Sequence, residues 1–365
     1  MAMENLESYL RATLVRLIEI PSPNGEEGSL IAFLEDWLRV RGFPVARFPV
    51  PGYPWPNLLI HPQPRPQLLI TVHVDTVPPL AHPRPYVAIE REGRIYGLGS
   101  VDVKGGLAAM MVALDIVGAD RLMRSPISIA LTVDEEQMGR GAEALARACW
   151  PEAVIAIEPT DFTISVAEAG TVELALEIRG RSAHGSVVER GRNAIQGAME
   201  LLRELESLPS IQAHHPLIGR GAVTPLFIRG GERSLVIPDH CELHLDIRWL
   251  PGISQETLMG EIEATLSRHE VIWRVIDLSA PFETPVEAPI VQLLGAALTE
   301  TGLPIRLSGM PSWTDAEPFV RSGAQAVVFG PGSLTVAHTP EEHISISELL
   351  RITQVLVTLI QKAVA

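Results

Sequence analysis

The sequence predicts an α/β protein, with a larger domain on a mostly parallel sheet interrupted by a smaller ferredoxin-like α+β domain. Three observations predict it. Short apolar runs at 68–72, 127–133, 153–157 and 326–329 have the length and composition of buried strands. Helical periodicity alternates with them at 105–118, 139–148, 287–302 and 347–363. Between them, residues 170–280 carry another rhythm, β-α-β-β-α-β.

In chain order, Leu6, Leu10, Leu14, Leu17 and Ile18 place an amphipathic helix at 5–20, broken by Pro21-Ser22-Pro23-Asn24-Gly25. A second helix spans 26–41, with acids in its first turn and Gly42 at its end. The Pro-rich 44–66 stretch reads as loop and edge strand. In the middle segment, strands at 171–179, 222–229, 239–249 and 271–277 frame helices at 190–207 and 254–268. Residues 1–169 and 281–365 are thus assigned to one domain and 170–280 to the other, with hinges around 168–170 and 278–285.

Hydrophobic residues make up 46% and charged residues 20% of the 365, which excludes a disordered chain. Lys+Arg 29 against Asp+Glu 44 gives a net charge of −15, a poor match for nucleic acid. No apolar run approaches the roughly 18 residues a membrane helix needs. Glu4, Glu7 and Arg11 do not suit a signal peptide. Cys149 and Cys241 form no C-x-x-C pair or disulfide framework, so a cytoplasmic setting is expected. Lys104 and Lys362 are the only lysines.

The chemistry gathers at strand ends, where α/β sheets bind ligands. The 68–72 run ends at His73-Val74-Asp75, the 127–133 run at Asp134-Glu135-Glu136, the 153–157 run at Glu158, and His338 follows the 326–329 run. Each residue has a bland reading alone: His-x-Asp is commonly a hydrogen-bonded pair, and adjacent glutamates are commonly a solvated turn. Acids converging on one rim, with Asp102 added, would repel and protonate unless cations neutralised them. Two divalent ions about 3.5–4 Å apart need one shared carboxylate. Two histidines and three acids supply such a set and leave another acid as general base. Ligands without cysteine suit Zn, with Co or Mn as substitutes. Gly97-Leu98-Gly99 lacks the rest of a dinucleotide fingerprint, and Asp102 would repel a pyrophosphate.

Five segments stand in one order: His73-Val74-Asp75, Gly97 to Gly106 around Asp102, Asp134-Glu135-Glu136, Glu158-Pro159-Thr160, and Ala337-His338-Thr339-Pro340-Glu341-Glu342. In that order the chain resembles the M20 metallopeptidases, which include acetylornithine deacetylase, succinyl-diaminopimelate desuccinylase, aminoacylase and glutamate carboxypeptidase. The resemblance covers about residues 5–360. It implies one zinc on His73 and Glu158, another on Glu136 and His338, and Asp102 between them. It implies Asp75 as the residue orienting His73, Glu135 as the general base, and a cis Asp102–Val103 peptide.

Gly180-Arg181-Ser182-Ala183-His184 resembles the family element whose His crosses a dimer interface to the oxyanion. A surface His in a strand-end turn is the plain alternative. Asp246-Ile247-Arg248-Trp249-Leu250-Pro251-Gly252 resembles the element whose Arg binds a substrate carboxylate, against a simple Asp246–Arg248 pair. Gly332 would offer its backbone N–H to the same carboxylate. Thr314 and Asp315 resemble a supporting T-D-A element. Leu235 stands where the family commonly has Asn.

The resemblance implies a dinuclear amidohydrolase of deacetylase type, acting as a homodimer with a closing lid on N-acyl-L-amino acids. Carboxypeptidase, dipeptidase or desuccinylase chemistry is the alternative within the family. A catalytically inactive metal-binding receptor is the alternative outside it, and would be expected to lack Glu135.

Overall fold

The computed structural model describes residues 3–79, 82–232 and 234–363. The chain divides into two compact units. The first comprises 1–166, 284–308 and 314–365, and the second 167–283 and 309–313. Residues 309–313, read from sequence as part of the larger domain, group with the second unit. Gly309 N donates to Leu217 O at 3.2 Å, and Ala169 N donates to Met310 O at 2.9 Å, so this segment is tied to second-unit backbone.

In the first unit, the central strands are Ile127–Thr132, Leu68–His73, Ala153–Ala156 and Gln325–Val328, side by side and parallel. Antiparallel strands flank them: Val45–Phe48 and Asn57–Ile60 on one side, Ile164–Glu168 on the other. The sheet is therefore mixed, with a parallel centre between antiparallel flanks. The central runs are buried throughout or nearly so, which is why they lack polar alternation.

The Lys104–Val117 helix is almost wholly buried between the Met3–Ile18 and Ile346–Lys362 helices. Small residues permit the approach: a Cβ on Gly106 would lie 2.6 Å from Ile157 Cγ2. The last helix starts at a capping box, with Ser345 Oγ accepting from Glu348 N and Glu348 Oε2 accepting from Ser345 N. A small antiparallel sheet of Ile89–Arg91, Arg94–Tyr96 and His343–Ser345 brings residue 342 to the 97–102 loop.

The second unit has a four-stranded antiparallel sheet, Ala222–Gly230, His240–Trp249, Gly170–Arg179 and Val271–Ser279 in spatial order. The Ala194–Glu206 and Gln255–Leu266 helices pack on it through Leu201, Leu205, Leu258 and Ile262. Their starts are set by Asn193 and Ser254, whose side chains accept from backbone N–H groups of the first turn. The helix read from residue 190 begins only at Ala194, because Val188–Arg190 is a single 3₁₀ turn. No helix among the described residues is long and apolar enough to cross a membrane.

Candidate metal centre

Strand ends and the loops just past them assemble the site in the first unit. His73 closes its strand, and Glu158 lies two residues beyond Ala153–Ala156. Asp102 sits just ahead of the Lys104–Val117 helix and forms a cis peptide with Val103. Glu135 and Glu136 lie in a turn just past the strand. The strand stops at Thr132, Asp134 is left-handed with φ 66°, and a turn follows. His338 is also left-handed, with φ 58°, in a loop.

The five expected ligands form two groups that share one residue. His73, Asp102 and Glu158 make one; Asp102, Glu136 and His338 make the other; ligand atoms within each lie within 4.8 Å of one another. His73 Nε2 is 3.0 Å from Asp102 Oδ1 and 3.6 Å from Glu158 Oε1. His338 Nε2 is 3.4 Å from Asp102 Oδ2 and 3.2 Å from Glu136 Oε2. Asp102 thus turns one oxygen toward each imidazole.

Asp75 lies beside His73, with a different contact from the one expected. His73 Nδ1 donates to the Asp75 backbone carbonyl at 3.0 Å, while the Asp75 carboxylate is 3.7 Å away. That carboxylate instead accepts from Glu135 N at 3.2 Å and Glu136 N at 3.0 Å. The occupied Nδ1 leaves the Nε2 lone pair of a neutral ring facing the acids, as metal ligation requires.

The electrostatics explain what such a site needs. Burial pushes Glu158 up to about 8, against the pull of His73. Burial holds Glu135 well above the usual carboxylate range, with Glu158 and Glu136 adding to it and His73 opposing. Burial and Asp102 raise Glu136 as well. Burial opposes charge on His73 too, but Glu158, Asp102 and Asp75 outweigh it and raise its pKa well above normal. Hydrogen bonds to Asp102 and Glu136 lift His338 to about 11. For Asp102, burial is outweighed by bonds from His338 and His73, and its pKa falls. Burial thus disfavours uncompensated negative charge on Glu135, Glu136 and Glu158, because a buried charge costs several kcal/mol unless neutralised. Oxygen and imidazole donors converging on two points that share a carboxylate fit a pair of divalent cations.

Supporting residues come from elsewhere in the unit. The Glu342 carboxylate accepts from Gly99 N at 2.9 Å, Val101 N at 3.0 Å and Asp102 N at 3.2 Å. Its motif was visible in the sequence, but its role was not. Asp315 is buried and accepts from Thr132 Oγ1. Thr314 Oγ1 accepts from Ala316 N at 3.2 Å. Lys104, only 1% exposed, donates from Nζ to Leu17 O at 3.0 Å and Ile20 O at 2.8 Å. Gly332 has φ 74°, and a Cβ there would lie 2.2 Å from Val101 Cγ2, so no side chain fits.

His184 and Arg248 belong to the second unit. His184 is exposed, and its Nδ1 accepts from Ser186 N at 3.3 Å, which leaves Nε2–H as a donor. Arg248 Nε donates to Asp246 Oδ2 at 2.8 Å, and Thr171 Oγ1 donates to Asp246 Oδ1 at 2.7 Å. Leu235 is 81% exposed.

Comparisons with known proteins place the chain in a family. A profile described as peptidase family M20/M25/M40 matches residues 69–362. Acetylornithine deacetylase of Photorhabdus laumondii is 32% identical over 346 residues, covering 87% of this chain and 86% of that protein. A tripeptidase structure from Staphylococcus aureus superposes with TM-score 0.81 at 22% identity, covering 98% of each chain. A Bacillus subtilis structure described as a dinuclear metal-binding peptidase of the M20 family has TM-score 0.69 at 13% identity, covering 98% of each chain.

Proposed function

The chain belongs to peptidase family M20/M25/M40, and on that premise we propose that it is a zinc-dependent deacetylase of N-acyl-L-amino acids. The observation that carries this reading is Asp102, common to two groups of ligand atoms beside Glu135. His73 and Glu158 would hold one ion, Glu136 and His338 the other. When bound, the ions polarise an amide carbonyl and acidify a water. Glu135 takes the proton from the attacking water and returns it to the leaving amine nitrogen. Asp75 holds both glutamate N–H groups and so fixes where that carboxylate sits.

In this reading, His184 of the partner subunit donates to the oxyanion, and Arg248 and the Gly332 N–H take the substrate's carboxylate. The deacetylase preference is supported by the 32% identity to an acetylornithine deacetylase. Its test is a panel of acetyl, succinyl and formyl amino acids and dipeptides, assayed after chelation and after adding back Zn or Co. Chelated protein is expected to be inactive and the acetyl series to be turned over fastest on reconstitution. Full turnover in metal-free protein would remove the metal reading. A preference for dipeptides would move the assignment to peptidase.

A cytoplasmic homodimer completes the reading. Cys149 and Cys241 are both buried free thiols, as a reducing compartment allows. The Ala222–Gly230 strand lies at a sheet edge with Leu226, Phe227 and Ile228 at 59%, 43% and 53% exposure. An apolar open edge is a template for pairing with a second strand. Ile228→Lys is therefore expected to yield monomers at concentrations where the unsubstituted chain is dimeric, measured by light scattering. An unchanged dimer mass would place the interface elsewhere.

A further inference from the structure

We propose that Asn24 is a positioning residue that fixes the Glu135–Glu136 turn against the His73 strand end. The inference rests on the dinuclear reading of that site. Asn24 lies in the loop between the first two helices, far in sequence from every ligand. Its Nδ2 donates to Asp75 Oδ2 at 3.1 Å and to Asp134 Oδ1 at 2.9 Å. Asp75 and Asp134 are 1% and 0% exposed, so two buried carboxylates face one amide group. Like charges so placed need donors: the Arg140 guanidinium lies 3.3 Å from Asp134 Oδ2, and between the two carboxylates one NH₂ carries a hydrogen for each.

Those two carboxylates set the turn. Asp75 accepts the Glu135 and Glu136 N–H groups, and its carbonyl accepts from His73 Nδ1. Asp134 has φ 66°; its Oδ2 accepts from Arg140 N at 3.1 Å, and its carbonyl accepts from Gly139 N at 2.6 Å. Asn24 is thus the bridge from the outer end of the turn to the residue that holds its inner end. Moving Asp134 relative to Asp75 would shift Glu135 and Glu136 together.

Asn24 is itself held. Its N–H donates to Thr76 O at 3.0 Å, and Thr76 N donates to Ser22 O at 2.9 Å. Next to it, Gly25 N donates to Tyr53 Oη at 2.7 Å and Gly25 O accepts from Trp55 Nε1 at 2.9 Å. The Tyr53 hydroxyl in turn donates to Glu27. A loop fastened on both sides can deliver its amide to a fixed point.

The residue type is specified by this geometry. Aspartate would put a third set of acceptors between two carboxylates, alanine would leave both without the donor, and serine would supply one hydrogen. The test compares Asn24→Asp, Asn24→Ala and Asn24→Ser with the unsubstituted chain. Three quantities are read: Co²⁺ affinity from visible absorption, kcat and KM on the best N-acyl amino acid, and Tm in chelator. Expected are losses of about 10–100-fold in Co²⁺ affinity and kcat for Asp and Ala. KM should stay within about twofold, and Ser should fall between. Should Asp not fold, Ala and Ser carry the comparison. Co²⁺ affinity and kcat of the folded variants within about twofold of the unsubstituted chain would overturn the proposal, even with a lower Tm. Failure of the unsubstituted chain to bind Co²⁺ or hydrolyse any amide would instead overturn the dinuclear reading.

Discussion

Glu135→Ala is expected to lower kcat by about 10²–10⁴-fold, the usual contribution of a positioned general acid–base, while two metal ions per chain remain bound. Glu135 belongs to neither ligand group, so its loss leaves both ion positions intact. Its N–H, not its side chain, is what Asp75 holds, so the turn should survive as well. The same carboxyl is held well above its usual range by burial and by Glu158 and Glu136, against His73. Metal analysis and steady-state kinetics on the same preparation check this. Normal turnover with full metal content would take the proton-transfer role away from Glu135. Lost turnover together with lost metal would make it a ligand.

The second large effect concerns Asp102. Asp102→Ala is expected to abolish activity and strip both ions, whereas Glu158→Ala is expected to weaken one site first. Asp102 alone appears in both groups, one oxygen 3.0 Å from His73 and the other 3.4 Å from His338. Without it, each ion keeps one imidazole and one carboxylate from this set, too few for a tetrahedral zinc site. Its placement is also the most heavily supported, since Glu342 accepts the Asp102 N–H and two others of the same loop. Titration with zinc, followed by calorimetry, should show two binding events in the unsubstituted chain and none of comparable affinity in Asp102→Ala. Retention of one tight ion by Asp102→Ala would show that the two positions do not depend on a common carboxylate.

Much of this arrangement was legible in the sequence because buried parallel strands are written as unbroken apolar runs. The 68–72, 127–133 and 153–157 runs fall on Leu68–His73, Ile127–Thr132 and Ala153–Ala156. The chemistry stands out because polar residues follow each run abruptly. Ile164–Glu168 was missed because it is buried yet carries Ser165, whose hydroxyl is satisfied by Ser308 at 2.7 Å. A hydrogen-bonded serine interrupts the apolar signal without interrupting the strand. The strands at 89–91, 94–96 and 343–345 are only three residues long and carry several charged or polar side chains, too short for any period to show. The left-handed backbone of Asp134, just past the 127–133 run, leaves no mark in hydrophobic pattern.

The supporting residues were harder to read for a different reason. Glu342 binds backbone N–H groups more than 200 positions away, and an amide has no residue type to betray the partnership. Asn24 sits in Pro21-Ser22-Pro23-Asn24-Gly25, which reads completely as a helix breaker. Its partners lie 51 and 110 residues away, beyond any local spacing. Ligands announce themselves by type and by place at a strand end; the residues that aim them do so only in space.

The burial of Lys104 has a practical side. Its amine is sequestered against the end of the first helix, and Lys362 is the only other lysine, partly open beside Glu300. Amine-directed dyes and surface-immobilisation reagents therefore meet, apart from the α-amino group, a single side chain near the end of the last helix. A fluorophore or tether can be attached there without mutagenesis, at a residue outside the set that would hold the ions.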